Sequence, residues 1–304
     1  MWFQGILWRD FPVNATYISI QGPEFVNPIT QLTDELRQRP GVLVTVDATQ
    51  GSVPREQGAW MAVFDGKVIN TIGGGHLELQ AIQHARAWLA GKAGEARVRF
   101  ALGPALGQCC GGVVHLCFES ISGSDLALLP RRLTAGAQPV ALFGGGHVGK
   151  ALVQVLGRLP FEVCWIDSRD EIFPADLPDN VSCEHSDPVQ SAVSDLVPGS
   201  LVLIMSFSHA EDLDVVAACL KRLRTRDDLP YVGLIGSKTK WATFCNRLRE
   251  RGFSTDELAR ITCPIGVPGI AGKEPDVIAV GVAAQLLQTA DAIRLKNPPK
   301  NHLL

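Results

Sequence analysis

The segment Gly144-Gly-Gly146-His-Val-Gly149 constrains the fold of this chain more than any other feature. It follows the apolar run Val140 to Phe143 and opens a helix-compatible stretch. In that context Gly-x-Gly-x-x-Gly marks the first strand-turn-helix of a dinucleotide-binding sheet. The glycines permit a tight turn and bring backbone N–H groups to a helix N-terminus, where an anion is held. Asp167 follows Gly144 by 23 positions, at the end of the next predicted strand, placed to accept hydrogen bonds from a ribose. Rossmann-like domains that bind no dinucleotide use the same turn. The motif therefore predicts the fold and leaves the ligand open.

From residue 138 onward strands and helices alternate. Strands are expected at 140–143, 162–167, 201–207 and 231–235, and helices at 147–159, 212–224, 238–251 and 276–295. This alternation predicts a mostly parallel sheet with crossover helices. Upstream, the spacing predicts helices over 27–39 and 76–90. Strands are expected over 42–47, 59–64, 68–72, 97–102 and 113–119, the last two flanking a loop rich in Gly and Cys. The expected organisation is α/β throughout: an extension over 1–22, an N-terminal α/β domain over 23–135, and a Rossmann-like C-terminal domain over 136–304. The length of 304 residues agrees with two domains, at about 150 residues each.

Composition narrows the function classes. Hydrophobic residues make up 46% and charged residues 19%, a core-forming balance. The formal net charge is −3, with 11 basic and 11 acidic residues before Gln138. No basic excess exists for a nucleic-acid partner. No apolar run approaches the roughly 20 residues that span a bilayer, and residues 1–8 lack the basic flank of a secretory leader. No membrane is expected, the location expected is cytoplasmic, and the eight cysteines are expected to be thiols.

Two of those cysteines stand apart, in Leu106-Gly-Gln108-Cys109-Cys110-Gly111-Gly112. Adjacent cysteines do not chelate one ion as C-x-x-C does, and a disulfide between them demands a strained ring. Ligating or reactive thiols fit better, because a thiolate binds soft metals and sulfur species. Inert buried thiols are the alternative. The other six cysteines sit singly and read as core.

Other clusters carry weaker signals. Gly-Gly-Gly-His recurs at 73–76, again between a strand and a helix, so Gly73, Gly74 and Gly75 form a second expected anion cradle. Arg55, in Gly51-Ser-Val-Pro-Arg55, is able to hold an anion. His209 and Ser237-Lys238 follow parallel strands, at the ends where open α/β sheets place ligands. The loop 264–275 reads as a lid or partner surface.

Together these segments resemble the XdhC/CoxI family, in order from about Val42 to Leu287. The resemblance rests on Gly51 to Arg55, Ile72-Gly-Gly-Gly75-His-Leu-Glu78, Gln108 to Gly112, Gly144 to Gly149 and Asp167-Ser-Arg169. It continues through His209 with Asp212, Tyr231 to Lys238, and Cys263-Pro-Ile-Gly266. Where many relatives carry Thr-His-Gly-His, this chain has Ser206-Phe207-Ser208-His209, and a role resting on two histidines does not transfer. The resemblance implies a chaperone of the molybdenum cofactor, a molybdopterin. Such a chaperone protects the cofactor, supports its sulfuration with a cysteine desulfurase and delivers it to xanthine dehydrogenase, with no turnover of its own. Implied cofactor-facing positions are Arg55, Gly73, Gly74, Gly75, Gln108, Cys109, Cys110, Gly111, Gly112, Gly144, Gly146, Gly149, Asp167, His209 and Ser237, with Cys109 and Cys110 at the metal. A second copy of the chain is a further candidate partner. The competing reading is an NAD(P)-dependent oxidoreductase built on the Rossmann-like domain.

Overall fold

The computed structural model describes residues 27–92, 94–103 and 111–296. Helix α1 (Pro28–Gln38) starts where the Asn27 side chain accepts from the Ile29 N–H, and it buries Leu32 and Leu36. The β-branched run after it forms β1 (Gly41–Gln50), followed by the hairpin β2 (Trp60–Phe64) and β3 (Lys67–Asn70). Next come α2 (Gly75–Leu89), β4 (Arg97–Ala101), β5 (Val113–Ile121) and the short α3 (Leu129–Thr134). The strands make an antiparallel sheet in the order β3-β2-β1-β5-β4. Period-two alternation sends Val42, Val44 and Val46 to one face, packed with Leu77, Ala81 and Ala85 of α2. Leu43, Trp60 and Phe64 go to the other, packed with Leu32, Leu36 and Leu129 of α1 and α3.

The second sheet begins with β6 (Gln138–Phe143), α4 (His147–Leu156), β7 (Phe161–Asp167) and β8 (Val181–His185). It continues through β9 (Leu201–Ile204), α5 (His209–Arg226), β10 (Tyr231–Leu234), α6 (Lys238–Glu250), α7 (Thr255–Leu258), β11 (Ile261–Thr262) and α8 (Pro275–Lys296). All pairs are parallel, in the order β11-β10-β9-β6-β7-β8. Counted from β6, that is the doubly wound order of a Rossmann sheet, with its switch point between β6 and β9. Helices α4 and α8 cover the face carrying Val140, Leu142 and Leu203. The opposite face, with Phe143 and Val202, is covered by α5 and α6.

The structure departs from the sequence expectation at element ends. Strand β9 stops at Ile204 because the Ser206 N–H donates to the Asp212 Oδ1 at 2.7 Å and leaves the ladder. Helix α5 starts at His209, three residues before the expected Asp212, because the Ser208 side chain caps it by accepting from the Glu211 N–H. Strands β8 and β11 carry too little buried apolar pattern to register in the sequence. Helix α8 is long and apolar enough, by length and composition alone, to cross a membrane. It packs against α4 and buries Ala279, Val282, Ala283, Leu286 and Ala290. The six single cysteines are not uniformly core: Cys219 is buried, but Cys183 is exposed on the edge strand β8. Burial pushes the Cys219 thiol up to about 12. It also raises the thiols of Cys164 and Cys263, each to about 11. These groups stay protonated and unreactive.

Candidate functional site

Strands β4 and β5 are the two arms of a hairpin, with Ala101 opposite Val113. The Leu102 N–H donates to the Gly112 carbonyl at 2.8 Å and closes the neck. The Cys-bearing segment is the connection across this neck. Gln108, Cys109 and Cys110 lie outside the described residues. Gly112 fixes where the segment rejoins the sheet. A Cβ there would stand 2.4 Å from the Ser52 carbonyl oxygen and 2.6 Å from that of Gln50, so only glycine fits. The Gly51-to-Arg55 loop, which supplies the Ser52 carbonyl, also packs against Gly73. There a Cβ would meet Pro54 at 2.4 Å and the Arg55 side chain at 3.4 Å. The Gly112, Gly51-to-Arg55 and Gly73 segments thus pack against one another beside the antiparallel sheet.

Arg55 donates from Nη1 to the Thr71 carbonyl at 3.3 Å, pairs with Glu56, and keeps 35% of its side chain exposed. The guanidinium is therefore positioned by the fold and still open to an anion. The Gly73–Gly75 turn is not an empty cradle. The Glu78 carboxylate lies back over the start of α2 and accepts from the Ile72 N–H at 3.0 Å and the Gly74 N–H at 3.1 Å. Oε2 of Glu78 accepts the Thr71 hydroxyl as well, and Thr71 Oγ1 takes the Gly73 N–H at 3.0 Å. An acid in the first turn is the helix's own countercharge. That spacing was visible in the sequence as Glu78 three residues after Gly75.

The second glycine turn is built differently. Gly144 has φ +120°, and a Cβ on it would stand 2.0 Å from the Met205 carbonyl oxygen. It is the point where the ends of β6 and β9 touch. Gly149 packs as closely: its Cβ would stand 2.1 Å from the Gly144 oxygen, which also accepts from Trp165 Nε1 at 3.0 Å. Gly146 has φ −70° and open space within 4 Å of its Cβ position. Helix α4 has no side-chain cap and no acidic residue in its first turn.

Asp167 is 1% exposed. Its Oδ1 accepts from the Arg169 N–H and Nε, both at 2.9 Å, and its Oδ2 accepts from the Gly145 N–H at 2.6 Å and Arg169 Nη2 at 3.0 Å. An ionised carboxylate has about four acceptor sites, and the fold fills all of them. Burial alone would raise the Asp167 carboxyl, but the Arg169 guanidinium and the two N–H groups hold it below the usual carboxylate range. The predicted ribose acceptor is thus a structural pin between β6 and β7. Arg169 also lies over the Phe207 ring, 4.3 Å from its centroid, and Phe207 is 67% exposed. Neither Arg169 nor Phe207 carried a role in the sequence reading. Their contact joins segments 38 positions apart, beyond any local signal.

His209 is exposed at the start of α5, its ring edge-on to Phe244 with centroids 6.4 Å apart. Ser237 caps α6 by accepting from the Lys240 N–H at 3.1 Å. Lys240, two residues beyond the predicted Lys238, is the lysine held in the structure. It donates to the buried Asp212 at 2.7 Å and to the Ile235 carbonyl at 2.9 Å. Among the described residues no cluster of three or more His, Cys, Asp or Glu side chains forms a metal site.

Comparison with known proteins adds the following. Residues 36–101 match the family described as XdhC and CoxI, and residues 140–286 match the family described as the XdhC Rossmann domain. The uncharacterized protein YqeB of Escherichia coli K12 is 28% identical over 259 residues, covering 82% of this chain and 43% of YqeB. The chain therefore spans less than half the length of that relative. A solved structure from Bacillus halodurans, described as a xanthine dehydrogenase, shares the fold. It aligns over 90% of this chain and 98% of that one, with a TM-score of 0.69 at 19% identity.

Proposed function

The chain belongs to the XdhC and CoxI family, and we propose on that basis that it is a maturation factor that carries the molybdenum cofactor to xanthine dehydrogenase. In this role the cofactor is cargo: the chain protects it, supports its sulfuration with a cysteine desulfurase, and hands it on without turning over a substrate. One observation carries the reading. The hairpin neck at Gly112 closes against the carbonyls of Gln50 and Ser52, at the start of the loop that leads to Arg55. Molybdopterin presents the matching chemistry, with soft molybdenum and sulfur at one end and a phosphate at the other. Cys109 and Cys110 suit the first, and Arg55 suits the second through its fork of N–H donors. The Gly73 and Gly74 amides are already engaged, which favours Arg55 as the phosphate contact at this end.

The test is cofactor content. Protein made in cells that synthesise the cofactor should yield fluorescent pterin after oxidation, and molybdenum by elemental analysis. Cys109→Ala or Cys110→Ala should lower molybdenum retention with the melting temperature unchanged. Wild-type protein free of both pterin and molybdenum, or mutants that retain both in full, would overturn the reading.

A further inference from the structure

The second sheet carries features that the carrier reading does not use, all at the carboxyl ends of β6, β7 and β9. Phe207 is a large aromatic side chain, 67% exposed, where water gains nothing from it. It is held as a platform: the Arg169 guanidinium covers it at 4.3 Å, and Arg169 is itself fixed to the buried Asp167 by three hydrogen bonds. The neighbouring residue supplies an independent sign. Ser206 Oγ is shut off from solvent and has no hydrogen-bond partner. Its backbone nitrogen lies beside Gly144, 3.0 Å from where a Cβ would stand. A buried hydroxyl left unpaired is unfavourable, and this one belongs to the residue that precedes Phe207. Gly146, at the start of α4, has open space around its Cβ position. The starts of two other glycine- or serine-led helices are closed by carboxylates, Glu78 on α2 and the Glu211–Asp212 pair on α5, and α6 is capped by the Ser237 hydroxyl.

The charge at this crevice decides between ligands. In a doubly wound sheet the adenosine ribose of a dinucleotide lies at the end of the second strand, here β7. A free carboxylate there reads a 2′-hydroxyl, and an arginine reads a 2′-phosphate. Asp167 has no acceptor site left; Arg169 is the cation at this strand end, and the nearby Glu211 carboxylate is already taken up by the Ser168 hydroxyl and the Phe207 N–H. Arg169 Nε and Nη2 bind Asp167, which leaves Nη1 outside the pair. We propose that this crevice binds a 2′-phosphorylated adenine dinucleotide, NADP(H), in preference to NAD(H). The adenine stacks at the Phe207–Arg169 pair, the 2′-phosphate meets Arg169, and the pyrophosphate lies over the Gly146 start of α4. The site is on a different sheet from the Cys-bearing hairpin and stands whether or not the chain carries molybdopterin.

The experiment is a fluorescence titration of the full chain with NADPH and with NADH, and displacement of NADPH by 2′,5′-ADP and by 5′-ADP. A charge-assisted contact to the extra phosphate predicts NADPH binding at least about tenfold tighter than NADH, and 2′,5′-ADP as the better competitor. Arg169→Gln should abolish the preference. That change also unpairs Asp167, so two further variants leave the pair intact. Gly146→Ala adds a methyl into empty space and should keep the melting temperature while weakening both nucleotides. Phe207→Ala should weaken both about tenfold through lost stacking. Equal or tighter binding of NADH, no binding of either nucleotide, or unchanged affinity in Gly146→Ala and Phe207→Ala would overturn the proposal. Pterin content reads the carrier function separately.

Discussion

Removing the Glu78 carboxylate is the sharpest test of how the N-terminal glycine turn is held. In Glu78→Ala the Ile72 and Gly74 N–H groups and the Thr71 hydroxyl lose their common acceptor. A hydrogen bond to a charged group contributes about 1.5–3 kcal/mol. This turn borders solvent, with Gly73 exposed, so water replaces part of the loss and each bond counts near the low end or below. The total expected is about 3 kcal/mol, including the lost countercharge at the N-terminus of α2. At about 2–4 °C per kcal/mol for a chain of this size, the melting temperature should fall by about 6–12 °C. Glu78→Gln keeps an acceptor oxygen and should lose about half as much. Millimolar phosphate should restore part of the stability of Glu78→Ala, because the freed amides form the anion cradle that the carboxylate now fills. A differential scanning measurement of both variants, with and without phosphate, decides the matter. A drop in Glu78→Ala of less than about 2 °C, below the stated conversion for even one kcal/mol, would refute the reasoning.

The other predictions concern the second sheet and acid stability. Gly144→Ala puts a methyl 2.0 Å from the Met205 carbonyl at φ +120°. It should cost about 3–5 kcal/mol or prevent folding, measured by urea denaturation beside the tolerated Gly146→Ala. Asp167, Glu35 and Asp228 have carboxyls held below their ordinary values. For Asp167 burial opposes the shift and the Arg169 guanidinium with the Gly145 N–H outweighs it; for Glu35 the Lys67 ammonium leads, and for Asp228 the Arg222 guanidinium. Depressed folded values stabilise the fold above the unfolded carboxyl range, near pH 4, and that contribution is lost as pH falls below it. Stability should therefore stay level down to about pH 5 and decline below about pH 4, and Asp167→Asn should flatten the decline in an acid titration followed by circular dichroism.

Most of the architecture was legible in the sequence because its signals are local. The run 42–46 alternates faces at period two, Leu32 and Leu36 share a helix face, and glycines mark where strand becomes helix. The Gly-x-Gly-x-x-Gly turn named the second sheet from six residues. Strand β8 escaped because an edge strand of mostly exposed residues carries no buried periodicity, and β11 because two residues are too few to show a period. The site was legible as residue types and not as an arrangement. The close approach of Gly112 to Gln50 and Ser52, which sets the hairpin neck against the start of the loop that leads to Arg55, joins positions some sixty residues apart.

By itself the sequence determined where the backbone would offer N–H groups to an anion: at residues 73–75, at 144–149 and at the start of each helix after a parallel strand. Only the tertiary structure decided which of those offers are already taken. Glu78 closes the first turn, Asp167 takes the Gly145 N–H from 22 residues away, and Asp212 takes that of Ser206. The reason is physical. A glycine turn is a property of local backbone conformation, whereas the countercharge that fills it is chosen by distance in space, and distance in space is set by how the sheets fold.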